Sequence, residues 1–211
     1  MLKLKKKKNN LKGMKSFFII FSSLLFFFFI SLILITNEPN DVAEKIEDKK
    51  IEIFFDKDNS NVILPNTDLK TDYSYKENYI AVIEIPTIKL KHGLYKKNSK
   101  NNNVNKNIEI LDDSSTPDVD GGNVILAGHS GTGRVAYFKN LIDLKYKDQT
   151  YIYYDGIKYV YEVVNIYEIE KTGYASIHRN INKNTLTMIT CKPNTNKQIV
   201  IISELVNKEN Y

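Results

Sequence analysis

Residues 17–35 read FFIIFSSLLFFFFISLILI, nineteen consecutive positions with three serines and no charge. As a helix rising about 1.5 Å per residue they reach about 28 Å, close to the hydrocarbon thickness of a bilayer. In lipid every backbone polar group must be satisfied within the segment, so a helix is the only conformation a single span can take. The sixteen residues before the run carry seven lysines and no acid. Such a flank holds the N-terminus in the cytoplasm and sends residues 36–211 outside. A removable secretory signal also begins with lysines. Its apolar core is shorter, however, and TNEPNDVAEK offers no small-x-small cleavage site. The expectation is therefore a retained single-pass anchor.

The same tail accounts for the basic balance of the chain. Taking its seven lysines from the 30 basic residues leaves 23 against 25 acids, a net charge of −2 for the remainder. A nucleic-acid surface is thus not expected, because no basic patch belongs to the folded part.

Four segments are expected: a cytoplasmic lysine-rich tail (1–16), a transmembrane helix (17–35), an extracellular stalk (36–78) and a folded domain (79–211). The stalk is polar, contains Pro39 and Pro65, and has NDVAEKIEDKK as a short membrane-proximal helix. In the folded part, YIAVIEI and IKLKHGLY read as strands separated at Pro86, and NVILAGH as a short apolar strand entering Gly128. KKNSKNNNVNKN, residues 96–107, reads as a solvated loop because it has almost nothing apolar to bury. A helix is expected from Thr132 or Gly133 through Val135, Ala136, Phe138, Leu141 and Ile142, whose spacings of three and four make an apolar stripe. Asp155-Gly156 marks a hairpin between tyrosine-rich strands, with Tyr159, Tyr161 and Val163 sharing one face. LTMIT and QIVIISELV are two further strands around KPNTNK. Seven or eight short strands with one or two short helices predict a closed or nearly closed all-β barrel; an α/β sheet would need recurring crossover helices.

The chain has one cysteine, Cys191, so an internal disulfide and a cysteine-cluster metal site are excluded. Cys191 lies just past an apolar strand, and His129 lies at the end of another among Gly128, Ser130 and Gly131. A thiol is a poor nucleophile until a cationic neighbour favours the thiolate, and an imidazole supplies that charge and later a proton. On residue type alone this pair fits a Cys-His enzyme, and equally a packed cysteine beside an unrelated histidine. Three scattered histidines and one cysteine lack the close ligand pair of a zinc site. His92 shares parity with Ile88 and Leu90 and is expected as a packed, hydrogen-bonded ring. His178, in a polar loop, is expected to brace that loop.

LAGHS at 126–130, TMITC at 187–191, AVIEIPTIKL at 81–90 and QIVIIS at 198–203, in this order and behind one anchor, resemble the sortase family of cysteine transpeptidases over residues 79–206. The resemblance implies a closed eight-stranded β-barrel on the outer face of a Gram-positive cell membrane. It implies that Cys191 attacks the threonine carbonyl of an LPxTG-like signal on a surface protein, with His129 as general acid and base. The protein is then joined to a cell-wall amine. The family also places an arginine on the strand after the cysteine, where this chain has Gln198 preceded by Lys197. Gln198 is the first candidate for that donor role, with Arg179, Lys197 and Arg134 as alternatives. Thr190 and Ser130 are expected beside substrate as hydroxyl contacts. No cofactor is expected, although Asp112, Asp113, Asp118 and Asp120, and separately Glu168 and Glu170, are acid groups of the kind that hold calcium in some sortases. The alternative reading is a catalytically impaired barrel that binds surface-protein tails or serves as a scaffold. No apolar segment follows the barrel, which leans towards enzymes that attach single proteins to the wall rather than polymerise pilins. LPNTD at 64–68 looks like a sorting signal, but turn chemistry accounts for it.

Overall fold

The computed structural model describes residues 11–56 and 77–211, without the side chains of 11–20 and 32–41. The chain falls into two compact units, Met1–Asp48 and Lys49–Tyr211. LPNTD and the first ten residues of the lysine tail lie outside the described residues.

Helix α1 runs Leu11–Phe55, so residues 36–55, read from sequence as stalk with a short helix, are helical throughout. In the first unit Phe21, Leu24, Phe26, Phe27, Phe28 and Phe29 are all more than half exposed. Among the described residues no helix is long and apolar enough to cross a membrane. In the second unit the last turns of the helix pack on the barrel. Ile51 is buried with Tyr79 and Tyr95, and Phe54 and Phe55 lie against that cluster. The Phe55 ring meets Tyr153 and Tyr211 edge-on, and the Lys50 ammonium donates to the Tyr95 hydroxyl at 2.7 Å.

Eight strands follow: β1 (Ala81–Ile85), β2 (Leu90–Leu94), β3 (Glu109–Ile110), β4 (Asn123–Ala127), β5 (Gln149–Tyr154), β6 (Ile157–Glu170), β7 (Thr185–Cys191) and β8 (Lys197–Asn210). They form one mixed sheet in the order β2-β1-β5-β6-β8-β7-β4-β3. The closed barrel implied by the resemblance is corrected to a nearly closed one, because β2 and β3 end the sheet unpaired with each other. Asn107 spans that seam. Its side-chain amide donates to the Gly93 carbonyl at 3.0 Å and its Oδ1 bonds the His92 ring. His92 is buried and stacked on Tyr137, as its parity predicts. Asn107 is 2% exposed, so the loop read as wholly solvated has a buried end.

Local sequence explains the turns. Asp155 and Gly156 both take positive φ, 47° and 77°, which is the hairpin geometry that matches strand twist. Pro86 opens a single 3-10 turn, Pro86–Ile88, between β1 and β2. The helix expected from Thr132 or Gly133 to Ile142 is absent. The segment is a run of turns ending in a 3-10 turn, Leu141–Asp143, with bonds such as Lys139 N to Ala136 O and Leu141 N to Phe138 O. Here the Phe138 amide donates to the His129 carbonyl at 3.0 Å, and its ring is fully buried. That tie back to β4 spends the amide an α-helix would need.

The main core lies on one face of the sheet and includes Ile83, Phe138, Tyr161, Leu186, Met188 and Ile201. A smaller cluster, Ile125, Ile189, Val200 and Ile202, lies on the other face, against Leu111, Tyr167, Ile169, Ala175 and Ile177. Apolar contact on both faces is why LTMIT and QIVIIS read as continuous apolar runs rather than alternating ones.

Candidate active site

The site is built where β4 and β7 end side by side. These two strands are the parallel pair of the sheet, in a register that advances from Asn123↔Thr185 to Ala127↔Ile189 at a constant offset of 62 residues. Two residues on, the same offset matches His129 with Cys191. Adjacent strands lie about 4.8 Å apart, so the segments that carry the two residues leave neighbouring strand ends. The ladder holds just past β4, since the Gly128 amide donates to the Ile189 carbonyl at 3.2 Å. Gly128 must be small here, as a Cβ at this position would stand 2.8 Å from the Phe138 ring.

Cys191 is a half-buried free thiol, paired in the antiparallel β7-β8 ladder with Gln198. Cys191 follows Ile189 by two positions and Gln198 precedes Val200 by two. Alternation therefore puts both side chains on the face of the smaller apolar cluster. A cleft of about 380 Å³ opens on that face. Its walls include Leu111, Ala127, Gly173, Tyr174, Ile189 and Gln198. The Tyr174 ring is 87% exposed at its margin. Most of the wall is apolar, with Lys171 and the side-chain amide of Gln198, across the ladder from the thiol, as its polar groups, which suits a peptide with small apolar side chains.

The other sequence candidates separate. Thr190 is buried and its hydroxyl donates to the Gly128 carbonyl at 2.8 Å, so it ties β7 to the residue before His129 rather than facing the cleft. Ser130 is half-buried beside His129 and makes no hydrogen bond to the ring among the described residues. Arg179 is not brought to the cysteine. It donates to the carbonyl of Gly121 and contacts Thr185 Oγ1, at the start of β7. Cys191 is six residues further along that strand, about 20 Å away. The reason is local: the β6-β7 loop needs a donor to bind its own carbonyls and the Gly121 turn. Lys197 is exposed and paired with Glu168 at 3.3 Å, and Lys192 binds the other Glu168 oxygen. Both lysines hold the Glu168 carboxyl below the usual carboxylate range, the Lys192 hydrogen bond most of all. Lys197 alternates with Ile199 and Ile201, so it lies on the main-core face of β8, away from Cys191. Arg134 is exposed on the turn after His129.

His178 braces its loop as expected, its amide donating to the Tyr167 hydroxyl at 2.9 Å and its ring edge-on to Tyr167. Among the described residues no three acids, histidines or cysteines converge to hold a metal ion, and Glu168 is already neutralised by its two lysines. The acid clusters therefore do not fit calcium, and no step of the chemistry is derived through it. One residue at the site was not singled out from sequence. Asn105, in the loop between β2 and β3, places Oδ1 3.2 Å from His129 Nε2. Nothing in an asparagine-rich run distinguishes this asparagine from its neighbours.

Residues 83–206 match the family model of the sortase domain. Sortase A of Bacillus anthracis is 26% identical over 134 residues, covering 62% of this chain and 61% of that protein, so the chain spans less than two thirds of that relative. Among solved structures, sortase A from Corynebacterium diphtheriae (lid mutant) superposes with a TM-score of 0.56 at 27% identity, covering 64% of this chain and 73% of the other. Listeria monocytogenes sortase A gives 0.52 at 26% identity, over 63% and 90%. With the family model covering more than half of the chain, and a nearly closed eight-stranded barrel that carries Cys191 and His129 on neighbouring strand ends, the chain belongs to the sortase family.

Proposed function

We propose that the protein is a membrane-anchored cysteine transpeptidase that cleaves an LPxTG-like signal after its threonine and transfers the surface protein to a cell-wall amine. The observation that supports this reading is the parallel pairing of β4 with β7, which brings the segment after Ala127, with His129, to the end of the strand that carries Cys191, next to a largely apolar cleft. The sulfur of Cys191 attacks the threonine carbonyl, a C–S bond forms, and the C–N bond to the next residue breaks as His129 gives the departing amine a proton. An amine acceptor then attacks the thioester, His129 takes its proton, and the thiolate leaves. Gln198, across the ladder from Cys191, donates an amide hydrogen bond to the oxygen that becomes negative. Because an amide replaces an amide, the second step recovers the bond energy of the first.

The uncharged run at 17–35 and the exposed phenylalanines of α1 support a single-pass anchor, with the lysine tail cytoplasmic and the barrel outside. At the membrane the enzyme meets substrates still emerging from export and a lipid-linked acceptor.

The test is incubation of the folded barrel with an LPxTG-like peptide, with and without an amine acceptor, followed by intact-mass analysis. A thioester on Cys191 that turns over to ligated peptide supports the reading. A folded protein that binds the peptide and never acylates points instead to an impaired binding module, the outcome that the missing arginine at Gln198 motivates.

A further inference from the structure

The loop between β2 and β3 reaches the site through one side chain. Asn105 Oδ1 lies 3.2 Å from His129 Nε2, the one hydrogen bond of that ring among the described residues. An amide oxygen only accepts, so the contact is made by a ring that carries a proton on Nε2, and it leaves Nδ1 as the nitrogen not engaged by Asn105. The asparagine is firmly placed. Its own amide donates to Asn103 Oδ1 at 2.9 Å, and the amides of Lys106 and Asn107 both bond the Asn103 carbonyl at 2.8 Å. Two residues on, Asn107 is buried in the seam and fixed to Gly93 and His92. On the other side Asn102 bonds Ile110 in both directions, its Nδ2 to the carbonyl at 2.9 Å and its Oδ1 from the amide at 2.7 Å. An otherwise polar, surface-running loop is thus pinned at both flanks of Asn105.

We propose that Asn105 is a positioning residue for His129, which fixes the ring so that Nδ1, and not Nε2, exchanges the proton with Cys191 and with the substrate amine. This rests on the proposed transpeptidase reading and deepens it. A ring free to rotate would present the reactive nitrogen only part of the time, and orientation of this kind contributes directly to turnover. The charged groups on the segments that meet here are Lys106 beside Asn105, Glu109, whose carboxylate accepts from the Val104 amide at 3.0 Å, Arg134 on the His129 loop and Lys192 beyond Cys191, with Cys191 itself as the titratable partner. A carboxylate at 105 places a negative charge directly at the contact with the ring.

The experiment compares N105A and N105D with the wild type. Imidazole NMR of His129, recorded in the Cys191→Ala background so that thiol titration does not interfere, should show the N105D midpoint raised by about one unit, because an anion beside the ring favours imidazolium. In the active background N105A should lower kcat about threefold to tenfold with KM little changed, and N105D, which keeps an acceptor oxygen, should recover most of that loss. An unmoved midpoint in N105D overturns the contact, and unchanged turnover in N105A overturns the positioning role. The NMR arm needs no activity, so a wild type that never acylates Cys191 counts against the transpeptidase reading and leaves the Asn105 contact separately tested.

Discussion

The Thr190 hydroxyl and the Gly128 carbonyl are joined by a 2.8 Å hydrogen bond between β7 and the end of β4. Each partner is the immediate neighbour of a candidate catalytic residue, Thr190 of Cys191 and Gly128 of His129. The bond therefore fixes the separation of the two strand ends where the chemistry is proposed. Thr190→Val keeps the shape of the side chain and removes the donor. We expect a stability loss of about 1–2 kcal/mol in urea unfolding, as the buried Gly128 carbonyl is left without this partner. A several-fold fall in acylation of Cys191 should accompany it. Unchanged acylation in the folded variant would show that the strand ends hold their spacing by other means.

Gln198 is paired with Cys191 across the ladder and carries a neutral amide. Hydrogen bonds to a developing negative charge are stronger from a charged donor than from a neutral one. Gln198→Ala should therefore lower kcat by about tenfold or more, and Gln198→Arg should raise it above wild type, in a peptide-cleavage assay. If alanine at 198 is neutral, the donor role falls.

Gly128 has no room for a side chain because the Phe138 ring fills the space a Cβ would need, at 2.8 Å. Gly128→Ala should cost about 1–3 kcal/mol through overpacking and displace the loop that follows His129. Thermal unfolding with calorimetry measures the cost, and a melting temperature equal to wild type would contradict it.

At the seam between β2 and β3, buried Asn107 bonds Gly93 and His92 of β2. Asn107→Ala removes its bonds to Gly93 and His92 and should destabilise the barrel by about 1–3 kcal/mol. Amide exchange in β2 should quicken more than in β7, which is paired on both sides. Equal acceleration in both strands would argue for global destabilisation instead of seam opening.

The Lys192–Glu168–Lys197 group closes the turn beside Cys191 and titrates with a definite sign. The Glu168 carboxyl is depressed, so its contribution is complete above the ordinary carboxylate pKa and fades as pH falls through its lowered folded value. At neutral pH, Glu168→Gln should exchange the amides of residues 192–197 faster than wild type. That difference should close in acid, once the pH has fallen through the lowered pKa of the wild-type carboxylate. A difference that persists in acid would mean the ion pairs do not hold this turn.

Much of the barrel is legible in the residues. The Asp155-Gly156 turn is local chemistry, since two positive φ angles in succession select such residues. The tyrosine alternation on β6 is equally local, with Tyr159, Tyr161 and Val163 all buried as their parity predicts. The expected helix through Val135 and Leu141 failed for a tertiary reason. Its apolar spacing is real, but the Phe138 amide is bonded to the His129 carbonyl and its ring fills the space beneath Gly128. Arg179 shows the same limit: by position it is a plausible cleft cation, yet its hydrogen bonds hold it at the opposite end of β7.

By itself the sequence determined the apolar nineteen-residue run, the strand-rich barrel, the resemblance that singled out Cys191 and His129, and the substitution of Gln198 for an arginine. These depend on residue type, period and local turn chemistry, which act over a few positions. Only the tertiary structure decided that β4 and β7 pair in parallel so that the segment of His129 leaves beside the strand of Cys191, that Thr190 braces and does not face the cleft, and that Asn105 meets the imidazole. Those relations join residues from 24 to 62 positions apart through strand pairing and loop anchoring. No local pattern encodes which partner the fold will supply.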